Sequence, residues 1–144
     1  MANFEFWHHH GGISVPNLEE SIKWWDEMLG FKVERRGVIP SVPCDMVMIK
    51  NGNLRIELFE VKGAKPADEA RRVPDSDLYT YGNKHVSFAC ENAPALAEEL
   101  IARGVDMVWV KKNDRGGNCF LRDNSGALVE FVSMPKPEPA PSIL

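Results

Sequence analysis

The chain carries one run of motifs twice, and this duplication limits its possible folds more than any other feature. His10-Gly11-Gly12-Ile13-Ser14-Val15-Pro16-Asn17 aligns with His85-Val86-Ser87-Phe88-Ala89-Cys90-Glu91-Asn92, Gly30-Phe31 with Gly104-Val105, and the block Asn51 to Phe59 with Asn124 to Val132. The offset is about 75 residues and narrows by two over the repeat, a drift that small differences in loop length absorb. Each copy opens on a histidine and closes on an apolar-Glu-apolar triplet, Ile56-Glu57-Leu58 and Val129-Glu130-Phe131. With 144 residues in all, the two copies read as small modules of a single domain.

Both copies follow the same local grammar. Asn17 precedes Leu18-Glu19-Glu20, an N-cap with glutamate at the third helical position. Leu18, Ile22, Trp25 and Leu29 recur at helical spacing before Gly30 ends the helix, which makes Trp25 core and Trp24 interfacial. In the second copy Asn92 caps, Pro94 occupies the first turn, Leu96 and Leu100 form the buried stripe, and Gly104 terminates. Three strands follow each helix, predicted at Lys32 to Gly37, Asp45 to Lys50 and Leu54 to Val61, then at Asp106 to Lys111, Gly117 to Arg122 and Ala127 to Ser133. Module one spans about residues 7–62 and module two about 85–134. Between them a linker, about 63–84, holds at most a short helical turn near Asp68 to Arg72. The proline-rich stretch 135–144 reads as an extended tail.

Composition removes several classes of function. Lys plus Arg total 17 against 21 Asp plus Glu, a net charge of -4, so no cationic excess drives phosphate binding and nucleic acid is excluded as a partner. Cys44, Cys90 and Cys119 are odd in number and widely spaced, which fits a reducing compartment rather than a disulfide framework or a thiolate metal site. With no signal-like start and no apolar run of membrane-spanning length, the reading is a cytoplasmic protein without a membrane role.

Side chains on a strand alternate between faces, so parity decides which residues can share a site. In a strand from Trp7 to Val15, Ile13 and Val15 pack toward the helix and His10 points away. In the second module Val86 and Phe88 pack inward and His85 points away. Ile56 and Leu58 send Glu57 to the opposite face, and Val129 and Phe131 do the same for Glu130. His10, Glu57, His85 and Glu130 therefore form a nitrogen and oxygen donor set suited to one divalent first-row ion per site, Zn, Ni, Co, Mn or Fe. A glutamate among apolar strand neighbours calls for a cation or an open face, because a buried, unpaired carboxylate is costly.

The segments His10 to Phe31, Arg55 to Phe59, His85 to Ala89 and Asp123 to Phe131 resemble, in order and spacing, the vicinal oxygen chelate superfamily of glyoxalases, bleomycin-resistance proteins and extradiol dioxygenases. The resemblance spans Trp7 to Met134. It implies an α+β fold of two tandem βαβββ modules, a curved half-barrel sheet of glyoxalase type, with His10, Glu57, His85 and Glu130 at the metal-ligand positions. A four-ligand His/Glu/His/Glu set is similar to the glyoxalase I branch, where a glutamate ligand can leave the metal and move a proton beside a carbonyl. That likeness implies a metal-dependent lyase or isomerase acting on a small 2-hydroxyacyl or 2-oxo compound and stabilising its enolate, with Glu130 as proton carrier and Glu57 the alternative. An iron-dependent extradiol dioxygenase and a small-molecule binding or resistance protein are the other readings. The resemblance also implies a homodimer, in keeping with apolar strands at the module ends.

Further residues are candidates for contact with substrate. His8 shares the parity of His10, whereas His9 has the opposite parity and carries no role. Met46 and Met48 offer an adaptable apolar lining, Tyr79 and Tyr81 precede His85 closely enough to cover it, and Arg115 lies with Lys111 and Lys112 in a basic loop.

Overall fold

The first helix shows how the modules are assembled. In a computed structural model that describes residues 4–138, Asn17 is extended and its side-chain oxygen accepts from the Glu20 amide at 3.0 Å. Helix α1 runs over Leu18–Leu29 and stops at Gly30, whose φ of 70° is the left-handed geometry that glycine tolerates best. Asn92 repeats the cap on α3 (Ala93–Ala102) by accepting from Ala95 N at 3.0 Å.

The chain divides between Ala67 and Asp68 into two units. The first contains β1 (Gly11–Ser14), α1, β2 (Lys32–Ile39), β3 (Cys44–Asn51) and β4 (Leu54–Val61). The second contains a 3-10 turn (Glu69–Arg72), α2 (Pro74–Asp77), β5 (Val86–Cys90), α3, β6 (Asp106–Lys111), β7 (Asn118–Arg122) and β8 (Leu128–Ser133). Strand order is β1-β4-β3-β2 in one and β5-β8-β7-β6 in the other. In each sheet the first pair is parallel and the other two are antiparallel. The result is two mixed, unclosed four-stranded sheets with helices, an α+β fold of two βαβββ modules.

One face of each sheet is sealed by its helix. In the first unit Val47, Ile49, Ile56, Leu58 and Trp25 are each at most 1% exposed. Removing such side chains from water contributes about 1.5–3 kcal/mol apiece. The opening amide of each helix is also fastened to the last strand of its own sheet. Leu18 N donates to Glu60 Oε2 at 2.7 Å on β4, and Ala93 N donates to Ser133 Oγ at 2.9 Å on β8.

The first strand is shorter than parity reasoning assumed. A strand from Trp7 was expected, but β1 begins at Gly11, whose partner is Ile56. In that parallel register Leu54, the first residue of β4, would stand opposite His9, so residues before His9 have no strand left to pair with. The linker is more ordered than expected, since α2 follows the anticipated turn and buries Asp77. Burial pushes the Asp77 carboxyl up, but Arg71 at 2.9 Å and Lys84 at 3.2 Å outweigh it and hold the group below its ordinary value. Residues 135–138 lie outside any strand or helix, and the remainder of the expected tail, 139–144, falls outside the described residues.

The three cysteines are free. Cys119 is fully buried on β7, and burial is the main cause that pushes its thiol up to about 11. Thiolate is the reactive form. Native protein at neutral pH should therefore leave Cys119 unlabelled by a thiol reagent over minutes, while denatured protein yields all three thiols. Rapid native labelling of Cys119, located by mass spectrometry, would contradict this burial.

Candidate metal and proton-transfer site

Each unit turns one histidine and one glutamate toward the face that its helix leaves uncovered. In the first, β4 pairs Glu57 with Gly12 of β1 and with Met48 of β3. His10 stands just before β1, with Nε2 at 3.0 Å from Glu57 Oε2. In the second, Glu130 on β8 pairs with Ser87 and Phe120, and His85 Nε2 lies 3.3 Å from Glu130 Oε2. The glutamate side chains are each 15% exposed, against 34% for His10 and 27% for His85, so both carboxylates sit deeper than their imidazoles.

These separations are compatible with shared coordination. Two N or O donors each about 2.1 Å from one ion, at tetrahedral or octahedral angles, stand about 2.9–3.4 Å apart. Both imidazole-carboxylate pairs fall in that range, and neutral imidazole with carboxylate is a donor chemistry that divalent first-row ions accept. Each unit supplies two such donors. Among the described residues no three His, Cys, Asp or Glu side chains form a cluster.

The surroundings of the two glutamates differ. Asn118 Nδ2 on β7 donates to Glu130 Oε1 at 3.0 Å, leaving Oε2 toward His85. The His85 ring meets Phe120 edge-on at 4.8 Å, and Phe120 meets Trp109 at 5.1 Å. Around Glu57 the corresponding β3 positions are Met48 and Met46, buried thioethers in register with Glu57 and Phe59. Gly12 fits there because a Cβ would stand 3.2 Å from the Phe59 ring.

The remaining candidates separate clearly. Met46 and Met48 do lie on the glutamate-bearing face of the first sheet. His8 is exposed and precedes the strand, so strand alternation does not place it. His9, which parity set aside, has its Nδ1 at 2.6 Å from His10 Nδ1 and its ring edge-on to His10. That contact fixes which His10 nitrogen faces Glu57. Tyr79 and Tyr81 stand fully in solvent and do not cover His85. Arg115 lies exposed in the β6–β7 turn, where its backbone amide donates to Asn113. Sequence reasoning misses Asn118, Phe120 and His9. Strand parity would place the first two beside Glu130 once the β7–β8 register is known.

Comparison with known proteins agrees with this architecture. A glyoxalase-family protein from Enterococcus faecalis superposes with a TM-score of 0.69 at 22% identity, over 86% of this chain and 94% of that one. The trypanothione-dependent glyoxalase I of Leishmania major gives 0.66 at 23% identity, over 90% and 87%. A glyoxalase I variant from Zea mays gives 0.67 at 21% identity, over 89% of this chain and 44% of that one. At such identities these likenesses concern the fold. No curated protein sequence matches. A family model does, over residues 9–138, nearly the whole chain. With the doubled module, the sheet orders and that match together, the chain belongs to the Glyoxalase/Bleomycin resistance protein/Dioxygenase superfamily.

Proposed function

We propose that this protein is a metal-dependent lyase or isomerase of glyoxalase type, acting on a small 2-hydroxyacyl or 2-oxo substrate. The observation that carries the reading is the paired geometry, one imidazole and one carboxylate at coordination distance in each unit. His10, Glu57, His85 and Glu130 provide four donors per chain for a divalent ion. When bound, such an ion supplies Lewis-acid stabilisation of an enolate oxygen. Glu130 takes the proton from the carbon beside the carbonyl and returns it. Asn118 holds Oε1, so Oε2 is the atom that carries the proton. Phe120 and Trp109, stacked edge to face, give that side of Glu130 an apolar wall. Glu57 is the alternative base.

The test is metal content. Protein purified without chelator should carry close to one divalent ion per chain, and His10→Ala and His85→Ala should each lose it while keeping the wild-type circular dichroism. Wild-type occupancy in both variants would remove the site.

The working form is a homodimer in a reducing compartment. Three free cysteines fit that compartment, and Phe4, Phe6 and Trp7 leave large apolar surfaces in water, the kind of patch that association covers. No helix among the described residues is long and apolar enough to cross a membrane. Light scattering at micromolar concentration should give twice the chain mass of 16.2 kDa; a monomer mass overturns the dimer.

A further inference from the structure

The first sheet presents an arginine on the same face as Glu57. A bulge between Val33 and Arg35 shifts the β2–β3 register so that Arg35 stands opposite Met48, which in turn stands opposite Glu57. Directly paired residues share a face, so Arg35, Met48 and Glu57 form one cross-strand row. The neighbouring residue agrees with this placement, because Arg36 reaches the other way to a bidentate contact with Glu19 on α1. At about 4.8 Å per strand, Arg35 and Glu57 are about 10 Å apart at Cα.

Arg35 is also unused. Lys32 pairs with Asp26, Arg36 with Glu19, and Lys50 and Arg55 both with Glu34. Among the described residues Arg35 has no carboxylate partner and is exposed. In the second unit the equivalent bulge, between Met107 and Trp109, presents Trp109 in the row of Phe120 and Glu130. There too the donor, indole Nε1, has no acceptor. The two units thus place Arg35 and Trp109 at matching positions in the glutamate row, Arg35 exposed and the Trp109 indole nitrogen buried.

We propose that Arg35 anchors a carboxylate at the distal end of the substrate, making the natural substrate a 2-oxo or 2-hydroxyacyl compound with a second, remote acid group. One guanidinium matches one carboxylate in charge and in its two-point donor geometry. The other cations on that face, Lys50 and Arg55, share the Glu34 carboxylate, so among the described residues Arg35 alone there has no anionic side chain beside it. This assignment rests on the proposed glyoxalase-type function, in which Glu57 faces the reacting end.

The test compares 2-oxoglutarate with 2-oxopentanoate, which share the 2-oxo acid head and differ in the distal carboxylate. By titration calorimetry on zinc-loaded protein, the wild type should bind 2-oxoglutarate at least ~10-fold more tightly, the scale of one charged hydrogen-bonded pair. At matched zinc content Arg35→Met should bring the ratio near one, and Arg35→Lys should keep part of it. Equal affinities in the wild type, binding of neither acid, or a preference that survives Arg35→Met overturns the proposal. Failure to take up zinc counts against the metal reading instead, and the same comparison on metal-free protein then decides Arg35.

Discussion

Glu130→Gln slows exchange of the proton beside a substrate carbonyl by at least ~100-fold, the usual lower scale for removing a general base. The substitution suits the question because the glutamine carbonyl can still accept from Asn118 Nδ2, so orientation survives while the basic oxygen is lost. Deuterium incorporation from solvent into a panel of 2-hydroxyacyl thioesters, hemithioacetals and 2-oxo acids reads the effect. Equal rates for wild type and Glu130→Gln would pass the proton-carrying role to Glu57, whose buried methionine neighbours give its carboxylate no comparable amide tether. A metal-loaded wild type that exchanges none of the panel but consumes oxygen with a catechol would replace the lyase reading with ring cleavage.

The largest loss of stability is expected at Trp25. Its side chain is fully buried, edge-on to Phe31 at 5.1 Å and to Trp24 at 5.7 Å. Trp25→Ala removes the largest body between α1 and its sheet, and such truncations cost about 3–5 kcal/mol. That is a large share of the ~5–15 kcal/mol by which domains of this size are folded. Urea denaturation should show the midpoint falling sharply, with Trp24→Ala, a partly buried site, losing less than half as much. Comparable losses at the two positions would mean that α1 does not seat on Trp25.

Much of this is legible in the chain because two simple periods suffice. The caps at Asn17 and Asn92, the Gly30 stop and the β4 and β6 limits all follow from local chemistry, and alternation alone turns Glu57 and Glu130 away from their helices. What escapes depends on partners distant in sequence. The bulges at Val33/Arg35 and Met107/Trp109 carry no glycine or proline signal and exist only relative to the strand opposite. Asn118 meets Glu130 through a register that no window of the sequence contains. His9 is missed by extending strand alternation to a stretch that has no ladder, and there the backbone lets adjacent histidines meet.

The fastening of each helix to its last strand limits how such a chain can diverge. On β4 Glu57 looks to the open face, and three residues later Glu60 holds the first amide of α1 on the other side. On β8 Glu130 and Ser133 keep the same interval. One residue gained or lost inside either interval would invert one of the two side chains, so the donor and the clasp must be inherited as a unit. Hairpin tips such as Gly52 and the stretch after Gly63 have no such count to keep. Lineages built on this module can vary in length there, while its strand interiors remain a fixed ruler.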